Sequence, residues 1–129
     1  MEIKKKIYIS LPITSRKEQT IRERVEAAFK RCELLKRRIA GVDAFKGWEI
    51  VTPFDVAPIG TTKTEAEIMG GCVQAVLESD AILLDRDYTE SKGARLEAEA
   101  AVLYGKQMYI VAANTFKIID LSNHYKPIE

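Results

Sequence analysis

The sequence predicts an α/β protein, a flavodoxin/Rossmann-like three-layer sandwich built on a mostly parallel sheet of four to five strands. Two observations carry this. Short apolar segments alternate with longer segments of helical period, in the order strand, helix, strand, helix, strand, helix, strand. The strand segments are nearly continuous apolar runs rather than in–out alternations, as strands covered by helices on both faces require. At 129 residues the chain has the size of one domain, 1–129, with length for one core. Such sheets bind ligands outside the carboxyl ends of their strands.

Taken in order, Lys6–Leu11 (KIYISL) is the first strand, stopped by Pro12, and Ile13-Thr14-Ser15 forms the loop at its carboxyl end. Two capping boxes compete to open the first helix, Ser15 with Glu18 and Thr20 with Glu23. Ile21, Val25, Ala28, Phe29, Cys32, Leu35 and Ile39 then recur at helical spacing until Gly41. Trp48–Thr52 is the second strand, closed by Pro53, and a long connection runs from Phe54 to Lys63. Thr64 and Glu67 cap a second helix carrying Ile68, Cys72, Ala75 and Val76. Ala81–Leu84 is the third strand and Met108–Ala113 the fourth. Ile118–Leu121 is either a last strand or an extended edge segment. Parallel order brings the loops Leu11–Ser15, Pro53–Lys63 and Asp85–Ser91 to one edge of the sheet.

The third helix, opening near Ser91, carries one anomaly. On a helical wheel Ala94, Ala98, Ala101 and Gly105 share a narrow face, and Arg95 and Glu99 lie opposite. Glu97 falls between Ala101 and Tyr104, at the border of the small apolar face. A carboxylate there is costly unless it is paired, hydrogen-bonded or open to a cleft. On the wheel alone, a side chain that snorkels to water or pairs with a lysine serves equally well.

Composition excludes several classes. A net charge of +1 gives no field to attract a nucleic acid polymer or an acidic membrane surface. The runs Lys4–Lys6 and Lys36–Arg38 read as a solvated strand entry and a helix end. No apolar run suits a signal peptide or a membrane span, which points to a cytoplasmic protein. Cys32 and Cys72 are too few and too far apart for a metal centre or a disulfide framework, so no metal and no cofactor is expected. His124, the only histidine, lies in the irregular tail and is a poor base for a Ser-His-Asp or Cys-His mechanism. The first turn lacks GxGxxG, and no Walker motif occurs. Gly70-Gly71, inside a helix, permits close packing or weakens that helix rather than cradling a phosphate.

Ile7-Tyr8-Ile9 with Pro12, Thr52-Pro53, Ser79-Asp80-Ala81 and the run Ser91-Lys92-Gly93-Ala94-Arg95-Leu96-Glu97 together resemble the nucleoside 2-deoxyribosyltransferase-like superfamily. They are most similar to a small-domain branch without assigned activity, over roughly residues 6 to 112. The resemblance implies that Glu97 is the carboxylate that attacks the anomeric carbon and forms a glycosyl-enzyme intermediate. By the same resemblance Tyr8 is the first-strand tyrosine beside that nucleophile, and Gly93 lets the sugar approach the helix start. Ser91 would contact the sugar's 5′ end, where a serine is typical of relatives that hydrolyse deoxynucleoside 5′-monophosphates. Pro12 would belong to the substrate-binding loop. The relatives' base-handling aspartate is replaced here by Cys72, and a thiol is not an equivalent acceptor or acid. Asp55 or Asp85 are the loop acids that could substitute. The resemblance also implies a homodimer or higher homo-oligomer, since relatives complete each site with a neighbour's residues.

The chemistry agrees with these residue types. Cleaving an N-glycosidic bond passes through an oxocarbenium-like state that a carboxylate stabilises and can capture. A (deoxy)nucleoside or its 5′-monophosphate is therefore the expected small-molecule partner. Hydrolase and transferase differ only in whether water or a second base accepts the sugar. The competing expectation, motivated by Cys72, is an inactive nucleotide-binding or sensing domain of the same fold.

Overall fold

The computed structural model describes residues 4–12, 21–112, 115–122 and 126–128. Its sheet has six strands in the order β2-β1-β3-β4-β5-β6. These are β1 (Lys6–Ser10), β2 (Glu49–Val51), β3 (Ala81–Leu84), β4 (Gln107–Val111), β5 (Ile118–Asp120) and β6 (Lys126–Pro127). The first four are mutually parallel. The segment left open between strand and edge becomes the antiparallel β5, and the two-residue β6 extends the sheet beyond the expected five. Among the described residues four α-helices accompany them: α1 (Ile21–Ala40), α2 (Pro53–Val56), α3 (Glu65–Glu78) and α4 (Lys92–Leu103). No helix among the described residues is long and apolar enough to cross a membrane.

The period-two alternation of β1 divides the core. Ile7, Ile9 and Leu11 pack with Ala81 and Leu83 against Cys32, Leu35 and Ile39 of α1. Tyr8, Ile82 and Leu84 face the other way, toward Cys72 and Val76 of α3 and Ala98 and Ala101 of α4. The result is three layers, with α1 on one face and α3 and α4 on the other. Each fully buried Ile or Leu contributes about 1.5–3 kcal/mol by leaving water, so the two faces together make the sheet the stable centre.

The predicted apolar face of α1 is only partly interior. Ala28, Cys32, Leu35 and Ile39 are buried, but Ile21 is 73% and Phe29 38% exposed. The cause is length: α1 has 20 residues and β1 five, so the helix spans about 30 Å and overhangs a strand of about 17 Å. Phe29 instead meets Phe54 edge-on at 5.3 Å. The capping boxes read at Ser15–Glu18 and Thr20–Glu23 involve residues outside the described ones.

The connection after β2 is more ordered than a loop. Thr52 and Asp55 form a capping box around Pro53, and the single turn α2 follows. Thr64 and Glu67 cap α3 as expected. Gly71 lies where a Cβ would sit 2.6 Å from Val56 Cγ1, so glycine at this point lets α2 rest directly on α3. The chain reverses its building direction between β1 and β3, which leaves a crevice at their carboxyl ends.

Candidate functional site

Helix α4 starts at that crevice. Ser91 is its N-cap, and Ser91 Oγ accepts a 3.3 Å hydrogen bond from the Ala94 backbone N–H. The small side chains of Ala94, Ala98 and Ala101 let the helix sit close to the sheet, where all three are buried. Close docking carries the neighbouring carboxylate inward with them, and Glu97 is only 4% exposed. Across from it, on the central strand, Ser10 Oγ donates a 3.2 Å hydrogen bond to Glu97 Oε1. The other oxygen, Glu97 Oε2, is buried with no hydrogen-bond partner, and so is the Tyr8 hydroxyl.

Burial pushes the Glu97 carboxyl up to about 7, while the Tyr8 and Ser10 hydroxyls favour its charged form and oppose the rise. Tyr8 and Glu97 are thus near enough to influence each other, although their contact falls short of a regular hydrogen bond. Tyr8 is pushed far up by burial first and then by the neighbouring Glu97 carboxylate. Burial likewise raises the Cys72 thiol, with the Tyr8 hydroxyl acting against it. Near neutral pH Glu97 is therefore divided between acid and carboxylate, the range in which a carboxyl serves as base, acid or nucleophile.

A cavity of about 460 Å³ opens over this group, within the range of small-ligand sites. Leu11, Pro53, Ile68 and Met69 supply apolar wall, and Ser91, Gly93 and Glu97 supply the polar side. Gly93 brings the α4 backbone against Met69, whose Sδ would be 3.2 Å from a Cβ placed there.

The structure brings Glu97, Tyr8, Ser91 and Gly93 together, with Tyr8 beneath Glu97 rather than on the cavity surface. Pro12 is half-buried and follows Leu11 without lining the cavity. Asp55 and Asp85 do not join the site. Asp55 Oδ2 accepts from the Thr52 N–H at 2.8 Å, so its carboxylate closes the α2 cap. Asp85 lies on the α1 side of the sheet, where Arg31 grips it through two hydrogen bonds of 2.8 and 3.0 Å. Cys72 does face the crevice, beside Tyr8 and Glu97. Thr14, Ser15 and His124 lie outside the described residues.

Ser10, which holds Glu97, was missed by sequence reasoning. Its signal was its spacing: two residues after Tyr8 on the same face of a fully buried strand, a hydroxyl needs an acceptor. Glu65 and Glu90 were also missed, and both reach the cavity from exposed positions. Among the described residues no three His, Cys, Asp or Glu side chains group as a metal site.

A family model described as a domain of unknown function, DUF4406, matches residues 5–110. No curated protein matches the sequence. Among solved structures, a 2-desoxiribosyltransferase from Leishmania mexicana is similar at a TM-score of 0.51 and 18% sequence identity, over 91% of this chain and 79% of that one. At that identity the likeness is one of fold, and it is the mostly parallel, Rossmann-like α/β fold read from the sequence.

Proposed function

Since this chain belongs to the DUF4406 family of domains of unknown function, we propose its activity from the site: it cleaves the N-glycosidic bond of a (deoxy)nucleoside or nucleoside 5′-monophosphate. Glu97 is the nucleophile, and the intermediate is a glycosyl ester on its carboxylate. The observation that carries this is the place of Glu97: a nearly buried carboxylate, held by Ser10 through Oε1 and backed by Tyr8, on the lining of a cavity of nucleoside size. A carboxylate in such a place is costly for stability and suited to meeting an electron-poor carbon. The fold neighbour, a 2-desoxiribosyltransferase, supports a nucleoside as the partner.

The steps follow from the positions. The Glu97 carboxylate forms a bond to C1′ as the C1′–N bond breaks. Tyr8 and Ser10 favour the ionised carboxylate against its burial. Ser91 and the first amides of α4 favour an oxygen-rich 5′ group at the helix start. Water or a second base then takes the sugar from Glu97.

The test is base release from a panel of nucleosides and 5′-monophosphates, followed chromatographically, with intact mass after acid quench to detect a sugar adduct. Turnover that vanishes in Glu97→Ala with the fold retained supports the reading. No base from any substrate, with unchanged binding and melting of the variant, defeats it. A second reading, a nucleotide sensor without turnover, is favoured by the thiol of Cys72 beside Glu97. It predicts that a nucleotide raises the melting temperature and is recovered intact.

A further inference from the structure

We propose that the substrate's leaving group carries its own positive charge, making it an N-glycoside of a quaternary nitrogen heterocycle, a pyridinium nucleoside or its 5′-monophosphate. This rests on Glu97 as the nucleophile of N-glycosidic cleavage. What carries it is the set of groups around that carboxylate. Retaining glycosyl transfer ordinarily uses a second carboxyl about 5–5.5 Å away to protonate the departing atom. Around Glu97 the described residues supply a hydroxyl, a phenol and a thiol, from Ser10, Tyr8 and Cys72. None yields a proton readily at neutral pH. Ser10 already donates to Glu97 Oε1, and burial makes Tyr8 and Cys72 weaker acids still. Glu65 and Glu90 reach the cavity only from its exposed side.

A neutral purine or pyrimidine departs as an anion unless it is protonated, so this site handles it poorly. A pyridinium needs no proton. A lone pair of the Glu97 carboxylate forms the ester to C1′, and the C1′–N electron pair returns to the ring nitrogen, which leaves neutral. Water then takes C1′, the carboxylate is regenerated and one proton passes to solvent, so each turnover releases free base, sugar and H⁺. The cation also acts on its own nucleophile, because a positive charge close by favours the ionised carboxylate and offsets the burial that holds Glu97 near 7. Among the described residues the cavity lining carries the carboxylates Glu65, Glu90 and Glu97, which suit a cationic ring, beside the cations Arg24 and Lys92. Met69 and Ile68 offer sulfur and hydrocarbon to the face of a flat ring.

The experiment gives the full chain nicotinamide riboside and its 5′-monophosphate, and in parallel adenosine, deoxyadenosine and their 5′-monophosphates. Each rate of base release is divided by the uncatalysed rate. The expected result is an acceleration at least about a hundredfold larger for the pyridinium substrates, the contribution of a missing general acid, with acidification of weakly buffered solution. In Cys72→Asp the gap narrows because release from the neutral nucleosides rises. Comparable acceleration of neutral nucleosides by the parent overturns the proposal and leaves Glu97 as nucleophile standing. A folded Cys72→Asp with an unchanged gap also counts against it. No base from any substrate overturns both readings. Should Cys72→Asp not fold, the parent's comparison decides alone.

Discussion

Ser10 Oγ and Glu97 Oε1 are joined by a 3.2 Å hydrogen bond that spans 87 positions of sequence. It ties the central strand to the second turn of α4, and it leaves one oxygen of a buried carboxylate satisfied and the other free.

Replacing Ser10 by Ala removes the donor and leaves Oε1 unsatisfied, a cost of about 1–3 kcal/mol in stability. Because Ser10 favours the charged form, its loss moves the Glu97 pKa further up. Base release by the parent is expected to rise with pH through about 7, as the carboxylate forms. In Ser10→Ala that acid limb shifts to higher pH, and Ser10→Thr restores it in part. A pH–rate profile of kcat/KM for the two variants and the parent measures the shift. The groups facing Glu97 in this profile are Tyr8 and Cys72, both of which stay protonated there.

Stability should also depend on Glu97. Its folded pKa is raised from 4.5 to about 7, so between these values the folded state holds a proton that the unfolded chain has released. Stability is full below about 4.5 and falls as pH rises through the window, by roughly 3 kcal/mol in all. Glu97→Gln carries no such titration. Urea melts of parent and variant from pH 4 to 8 should show the difference curve favouring the variant increasingly up to about pH 7, then levelling. A flat difference curve contradicts the burial argument.

Asp85 separates structure from chemistry. Its side chain is 8% and that of Arg31 22% exposed, and the two-point pairing is largely shielded from water. Asp85→Ala leaves Arg31 without this partner and is expected to cost about 2–4 kcal/mol. Per folded molecule, kcat/KM should not change, since the pair sits across the sheet from Glu97. A rise in KM at full folding would restore Asp85 to the substrate site.

The contact of α2 with α3 can be tested at Gly71. A Cβ there would meet Val56 Cγ1 at 2.6 Å, so Gly71→Ala should destabilise by about 1–3 kcal/mol through overpacking. Val56→Ala in the same chain removes the obstructing methyl groups. The double variant should then lose less than the sum of the two single ones, read from a double-mutant cycle of melting experiments.

The strand positions, the third-strand boundaries Ala81–Leu84 and the Thr64 cap were legible from the chain because each depends on neighbours within a few residues. The turn α2 was legible in the same way from Thr52, Pro53 and Asp55, yet was masked by an expectation that proline only ends a strand. The overhang of α1 was not local, since it depends on the length of a strand elsewhere in the sequence.

For the site, the sequence by itself determined that Glu97 lies at the edge of an alanine face on a helix following a buried strand. That follows from a period of 3.6 residues and from the composition of one segment. Only the tertiary structure decided that this edge is interior, that Ser10 meets one oxygen, and that Asp55 and Asp85 are engaged elsewhere. The physical reason is that helical periodicity fixes a direction but not what lies along it. How closely α4 docks depends on Ala94, Ala98 and Ala101 together with the sheet they rest on, and a carboxylate changes its character with a few ångströms of burial.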